Sequence, residues 1–376
     1  MQRKFSTLFA AVLVLTVILS ACAPSPSVTT PTIQSSTQPA AASIQLTGSG
    51  ATFPEPLYKE WIFAYAYVNP AAAINYQGIG SGGGKKAIID GTVDFAGSDS
   101  LLADADYTAG KDLQMYPTVA GAVVLMYNIP GIAATDPALV LDGPTLVGIY
   151  NGTIKNWNDP AIVKLNSNLA TKLPDKSITA VHRSDGSGTT EIFTKALTSF
   201  DPAWKAGGAQ SVEWPVDKAG NGIGGKGSAG VAAAVQNTPN SLGYVELSYV
   251  VSNKITFASM VNKAGQTVVA SLASTQAAVD DFANAFDAHL NAVIVNAPGQ
   301  NSWPIAGYTY LILHTQNMQD CVKAQALVSF WKWALTDANA AKRASDLGYA
   351  PLTQAVQSAV LAKMGEVTCN GQKVLK

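Results

Sequence analysis

From Ile44 onward the chain alternates short apolar runs, glycine turns and helical patterns, and this alternation limits the fold more than any other feature. Ile44-Gln45-Leu46-Thr47 reads as a strand, Gly48-Ser49-Gly50 as a turn, and Thr52-Phe53-Pro54-Glu55 as a helix start. Thr52 stands where an N-cap belongs, Glu55 closes a capping box, and Pro54 lies in the first turn, where a missing N–H costs little. Leu57, Trp61, Tyr65 and Val68 recur behind it on one helical face. A second unit follows. It has a strand over 73–77, the turn Gly78-Ile79-Gly80-Ser81-Gly82-Gly83-Gly84, a helix from Lys85 to Asp90, and a strand over 93–96 that ends in Gly97-Ser98-Asp99. Strands alternating with helices predict an α/β fold with a largely parallel sheet. In such sheets ligands sit beyond the C-terminal ends of strands, beside helix N-termini.

One junction is chemically dense. Val181-His182-Arg183-Ser184-Asp185-Gly186-Ser187-Gly188-Thr189-Thr190 places a guanidinium, a carboxylate, hydroxyls and two glycines ahead of Phe193, Ala196, Leu197 and Phe200 at helical spacing. A helix N-terminus carries unpaired N–H groups and a partial positive charge, and glycines let a ligand approach the backbone. Arg183 adds a planar fork of donors that suits a tetrahedral oxyanion. A small anion fits this set. The alternative is a tight surface turn capped by Asp185 or Ser187.

The N-terminal residues specify the compartment. Arg3 and Lys4 precede an apolar run from Leu8 to Leu19, and Leu19-Ser20-Ala21-Cys22 follows. This is a secretory signal over 1–21, whose apolar run of twelve residues is too short for a membrane span of roughly 17–25. A Cys directly after Leu-Ser-Ala looks like a lipobox, with Cys22 lipidated as the mature N-terminus. The uncharged Pro/Ser/Thr/Gln/Ala stretch to Ser43 cannot build a core and reads as a tether over 22–43. The expected location is extracytoplasmic, lipid-anchored to the cell membrane, in a periplasm or at a cell surface. Cys321 and Cys369 are the cysteines that remain, and in an oxidising compartment they most simply pair.

The chain beyond Cys22 is long enough for about two domains at roughly 150 residues each. With 48% hydrophobic and 13% charged residues the composition is globular, and the net charge of −1 argues against nucleic acid, which selects a basic patch or stripe. An anion site must therefore work through local geometry. Gly78–Gly83 and Gly222–Gly227 both satisfy G-x-G-x-x-G, a weak signal among 32 glycines. Gly220–Lys226 spells G-x-x-x-x-G-K, but Gly227 replaces the magnesium-holding Ser/Thr. Three scattered histidines offer no metal spacing, so neither metal nor cofactor is expected. Trp331 and Trp333 read as packing residues within a closing helix over 319–348, whose apolar side is Val322, Ala326, Leu327, Phe330, Trp331 and Leu335.

Gly-Ser-Gly-Ala-Thr-Phe-Pro, Tyr-Gln-Gly-Ile-Gly-Ser-Gly-Gly-Gly, Val-Asp-Phe-Ala-Gly-Ser-Asp, Arg-Ser-Asp-Gly-Ser-Gly-Thr, Val-Gln-Asn-Thr-Pro and Gly-Tyr-Val-Glu occur in this order from about Leu46 to the C-terminus. Together they resemble the substrate-binding lipoproteins of bacterial phosphate ABC transporters. The resemblance implies a two-lobed periplasmic-binding-protein fold with two crossover strands and the ligand cleft between lobes. Lobe I would comprise 44–122 and 305–376, and lobe II 123–304. The crossovers would fall in Met115–Asn128 and around Ser302–Leu313. The resemblance also implies phosphate contacts at Thr52, Phe53 (through its backbone), Ser81, Asp99, Arg183, Asp185, Ser187, Gly188 and Thr189. Implied partners are inorganic phosphate, the permease subunits of such a transporter, and the membrane through the lipid anchor. The protein itself would be a monomer and not an enzyme.

Three positions depart from the family pattern. Gly82 stands where many relatives carry a second Ser, Ser100-Leu101 replaces a commoner Ala-Pro after Asp99, and His182 is a variable spot beside the arginine. In this reading Asp99 accepts the proton of a P–OH group, which sulfate lacks, so sulfate is rejected by an unpaired carboxylate. The competing function is an extracytoplasmic phosphatase working through the Ser187/Thr189 loop, which would need an activated nucleophile.

Overall fold

Nine strands form the main sheet of the computed structural model, which describes residues 44–133 and 135–375. In chain order they are β1 (Ile44–Gly50), β2 (Ala72–Gly78), β3 (Phe95–Ser98), β4 (Leu113–Asn128), β5 (Thr179–Arg183), β6 (Gly222–Gly225), β7 (Ser241–Glu246), β8 (Ala306–His314) and β9 (Ala350–Pro351). Across the sheet they run β2-β1-β3-β8-β4-β7-β5-β6, with β9 pairing on β4. The expected signal sequence (1–21), Cys22 and the expected tether (22–43) lie outside the described residues.

The sheet is mixed rather than largely parallel. Its outer strands are parallel on both sides (β1 with β2 and β3, β5 with β6 and β7), whereas β8 and β4 are antiparallel to each other and to their outer neighbours. Periodicity reports strand existence but not strand direction, so the central reversal could not be read from it. β4 explains the architecture. At ~3.3 Å per residue its 16 residues extend ~50 Å, and all but the last are buried. Leu113–Ala122 pairs with β8, and Val123–Asn128 pairs with β7. The return segment crosses at the same point, where the Val123 N–H donates to the Ile305 carbonyl and the Trp303 indole to the Val123 carbonyl. The chain therefore builds one half around β1–β3 and β8, and another around β5–β7, with two crossings between them.

Helices flank both halves. Those that bear on function are α1 (Glu55–Tyr65), α2 (Ser81–Ile89), α3 (Gly188–Phe200), α4 (Gly227–Asn237), α5 (Leu247–Asn253), α6 (Cys321–Thr336) and α7 (Ala338–Asp346). Leu57, Tyr58, Trp61 and Tyr65 of α1 are buried against Phe330 and Trp331 of α6, in a cluster that includes Tyr76 and Phe95. Truncating Trp61 there would cost about 3–5 kcal/mol. In the other half Tyr150, Phe193, Trp214 and Tyr244 form a second aromatic cluster.

Several boundaries differ from the sequence reading. α1 ends at Tyr65, so Val68 falls in the following turn and is exposed. α1 starts at Glu55 behind Pro54 with no side-chain cap, so the expected Thr52–Glu55 capping box does not form; Glu55 pairs with Lys59 instead. α2 begins at Ser81, not Lys85. The closing helix is two, because Asp337 ends α6 and accepts the Asn339 and Ala340 N–H groups that open α7. Val322 lies exposed on the first turn of α6. Cys321 and Cys369 are joined in a disulfide across 48 residues, a closure worth roughly 4 kcal/mol by chain entropy.

Candidate functional site

The sheet ends its parallel strands on one cluster of polar side chains. β1 runs into Thr52 and Phe53, β2 into the Gly80 turn and Ser81, β3 into Asp99, and β5 into Arg183 and its loop. Ser81, Gly188 and Gly227 are each the first residue of a helix (α2, α3 and α4), so three N-termini bring N–H groups and dipole charge to the same place. Thr52, Phe53, Ser81, Asp99, Arg183, Ser187 and Thr189 are all buried. Sequence spacing alone would not require residues so far apart in the chain to share one interior volume.

Arg183 organises the cluster. Its Nε and Nη2 make a bidentate pair with Asp185 at 2.7 and 2.5 Å, and Nη1 donates to Thr52 Oγ1 at 3.2 Å. Burial acts to raise the Asp185 carboxyl, but the Arg183 guanidinium and the Gly227 N–H hold it below its ordinary value, so it stays an anion and fixes the fork. Thr52 Oγ1, released from any capping role, also meets Ser228 Oγ at 2.9 Å and accepts the Ser228 N–H. Ser81 Oγ accepts from the N–H groups of Asp99 at 3.2 Å and Gly188 at 3.0 Å. Ser187 Oγ caps α3 through the Thr190 N–H. The Phe53 side chain is core, and its carbonyl accepts from the Tyr349 hydroxyl at 2.6 Å.

Asp99 is the chemically unusual member. Burial pushes its carboxyl from 3.8 up to about 7, with the Thr309 hydroxyl, Arg183 and Thr189 pulling it down and Glu191 pushing it up. Thr309 donates to its Oδ1 at 2.8 Å. The Thr189 hydroxyl is buried nearby without a well-aligned partner of its own. A carboxyl poised near neutrality can hold or share a proton where a surface aspartate would not.

Two backbone positions set how tightly the halves meet. Gly80 has φ of +86°, and a Cβ there would stand 2.4 Å from Asp185 Oδ2. A Cβ on Gly188 would stand 2.6 Å from the Asp99 Cβ. The Gly82 N–H also donates directly to the Gly186 carbonyl at 3.0 Å.

The structure thus assembles the sequence-predicted set in one site. It adds Ser228, Tyr249 (whose hydroxyl donates to the Thr52 carbonyl at 2.9 Å) and Thr309. Tyr249 and Thr309 carried no sequence signal, and Ser228 only sits in the glycine-rich stretch 220–230, which read as a weak nucleotide-loop lookalike. Its actual contacts are the Gly227 and Ser228 N–H groups on Asp185 and Thr52.

A PBP superfamily domain profile matches residues 35–338. The phosphate-binding protein PstS of Pasteurella multocida is 39% identical over 320 residues, covering 85% of this chain and 89% of that protein. The chain belongs to the PstS family of phosphate-binding proteins. The Xylella fastidiosa member is 41% identical over 317 residues, covering 82% of both chains, and the Methanocaldococcus jannaschii member is 36% identical over 305, covering 77% of this chain and 78% of its own. Among solved structures, a high-affinity periplasmic phosphate-binding protein holding phosphate superposes with a TM-score of 0.67 at 22% identity, over 85% of this chain and 93% of that one. The Stenotrophomonas maltophilia phosphate-binding protein gives 0.61 at 24%, over the same shares. These structures establish the two-lobed periplasmic-binding fold.

The phosphatase alternative finds no support in the family or in the site. Ser187 Oγ accepts the Thr190 N–H as a helix cap and has no base beside it, since His182 faces Asp217 and the Arg183 carbonyl rather than Ser187. Among the described residues no group of three His, Cys, Asp or Glu side chains could hold a metal ion.

Proposed function

We propose that this protein is an extracytoplasmic phosphate receptor that delivers inorganic phosphate to the permease subunits of an ABC import system. One observation carries the reading: Arg183, locked by Asp185, shares an interior volume with a protonatable Asp99 and a shell of neutral hydroxyl and N–H donors. A dehydrated oxyanion carries a large desolvation cost, so a site that binds it must supply nearly every hydrogen bond. The contacts would be Thr52, Phe53 through its backbone, Ser81, Asp99, Arg183, Asp185 (through the guanidinium it orients), Ser187, Gly188 and Thr189. Asp99 would take the phosphate proton and set selectivity, and Arg183 would supply the charge common to every oxyanion.

Lobe I would comprise 44–122 and 305–376 and lobe II 123–304. Support comes from β4, whose pairing partner changes between Ala122 and Val123 where the return segment also crosses. Among the described residues no helix is long and apolar enough to cross a membrane, which suits tethering through a lipidated Cys22. The receptor would act as a monomer, without cofactor and without hydrolytic activity. Titration of the protein beginning after Ser43 should give one phosphate per chain and no turnover of a generic phosphoester. Metal-independent turnover would overturn the receptor reading.

A further inference from the structure

The departure from the family pattern at Ser100-Leu101 has a structural counterpart. Ser100, directly after Asp99, sends its hydroxyl across to Glu191 Oε2 at 2.5 Å, and the Leu101 N–H reaches Glu191 Oε1 at 3.4 Å. Glu191 lies on α3, two residues past Thr189, so the pair joins the half containing β3 to the half containing β5. The link is buried, with Ser100 at 1% and Glu191 at 8% exposure. It is also backed on both sides. Lys195, one turn along α3, donates to Glu191 Oε1 at 2.7 Å, and Lys85 of α2 donates to Ser100 Oγ and the Leu101 carbonyl, both at 3.1 Å. Ser98 Oγ accepts the Ser100 N–H and donates to its carbonyl, which fixes the loop that presents the hydroxyl.

Alanine at 100 would have no hydroxyl to send, and proline at 101 would have no N–H. The two residues that break the pattern supply both donors. None of Ser100, Leu101, Glu191, Lys195 or Lys85 belongs to the proposed anion contacts, so the relay acts on closure rather than on the ligand.

We infer that Ser100, Leu101 and Glu191 form an inter-lobe latch, made of positioning residues that hold the site closed and slow the release of the bound oxyanion. This rests on the phosphate-receptor reading for the identity of the oxyanion, but not for the closure itself. Opening the lobes exposes a buried carboxylate that has lost its hydroxyl and N–H partners, so the latch contributes in the closed state alone.

The test uses Ser100→Ala/Leu101→Pro, which restores the commoner pair expected from the resemblance and removes both donors to Glu191, together with Ser100→Ala, Glu191→Ala and their double variant. Stopped-flow release of phosphate should accelerate about tenfold or more in the restored-pattern protein, with association little changed, as expected for a lost charge-assisted buried bond. The Ser100/Glu191 cycle should be strongly non-additive. Unchanged release rates, or an additive cycle, overturn the latch. Small-angle scattering of the ligand-free proteins supplies a second readout that needs no phosphate. The parent chain should be more compact than the restored-pattern variant, and equal dimensions also overturn the proposal. A parent chain that binds no phosphate refutes the receptor reading and leaves scattering to decide the latch.

Discussion

Asp99 yields a prediction that follows quantitatively from its surroundings. Burial holds its carboxyl at about 7 instead of 3.8, which corresponds to about 4 kcal/mol against the ionised form. Phosphate near neutrality retains a P–OH, so it brings the proton that the Asp99 contact requires. Sulfate brings none, and it can bind without repulsion only after Asp99 itself has been protonated. At about pH 9, well above the Asp99 value, that proton costs about 3 kcal/mol, so sulfate affinity should lie about a hundredfold below its value at about pH 6. Above neutrality the decline should approach tenfold per pH unit. Phosphate affinity should stay level within a few-fold over the same range. Asp99→Asn removes the titrating group and offers sulfate a donor. In that variant sulfate binding should strengthen and lose its pH dependence, while phosphate, which can still donate to the amide oxygen, should weaken modestly. Calorimetric titration of both anions into both proteins at three pH values supplies every number. A sulfate affinity that is flat with pH in the parent chain, or a phosphate-to-sulfate ratio that Asp99→Asn leaves unchanged, refutes Asp99 as the selector.

Arg183→Ala should weaken phosphate and sulfate alike by roughly 1.5–3 kcal/mol, more if Asp185 is left buried and unpaired, and an effect confined to one anion would contradict a shared-charge role. Glu246 is buried with Ser248 donating from both its hydroxyl and its N–H, and burial raises its carboxyl from 4.5 to about 8. Because the folded value is the higher one, its contribution to stability is complete below about 4.5 and is lost as pH rises through about 8. In urea titrations Glu246→Gln should therefore match the parent's unfolding free energy in acid and exceed it at alkaline pH by a few kcal/mol; a difference that grows toward acid would reverse the assignment. Thiol labelling of the unreduced, denatured protein beginning after Ser43 should find no free cysteine, and two labelled thiols would contradict the Cys321–Cys369 bond.

Much of the site was legible because its parts obey local rules. The Arg183 loop announces itself through two glycines, a capping Ser187 and helical periodicity behind it, and each of those features requires only neighbouring residues. Ser228, Tyr249 and Thr309 gave no such signal, since a hydroxyl on a helix or a buried strand looks like ordinary packing until the fold brings it against Thr52 or Asp99. Thr52 shows the opposite failure. Its position fits an N-cap so well that local chemistry pointed to Glu55, whereas the tertiary partners Arg183 and Ser228 took the hydroxyl. The break at Asp337 was hidden by apolar residues continuing at helical spacing, although an aspartate that can cap the next turn was present. Strand direction was beyond reach for a different reason. Alternation is the same in either sense, and the reversal at β8 and β4 is decided by how the chain crosses between halves.

The most direct test of the account is the structure of the protein determined with phosphate bound. The oxyanion should lie within hydrogen-bonding distance, about 2.6–3.1 Å, of Arg183, Thr52, Ser81, Ser187 and Thr189 together, with one oxygen in short contact with an Asp99 carboxylate oxygen. A phosphate seated elsewhere, or one that leaves Asp99 without a contact, would contradict the central claim.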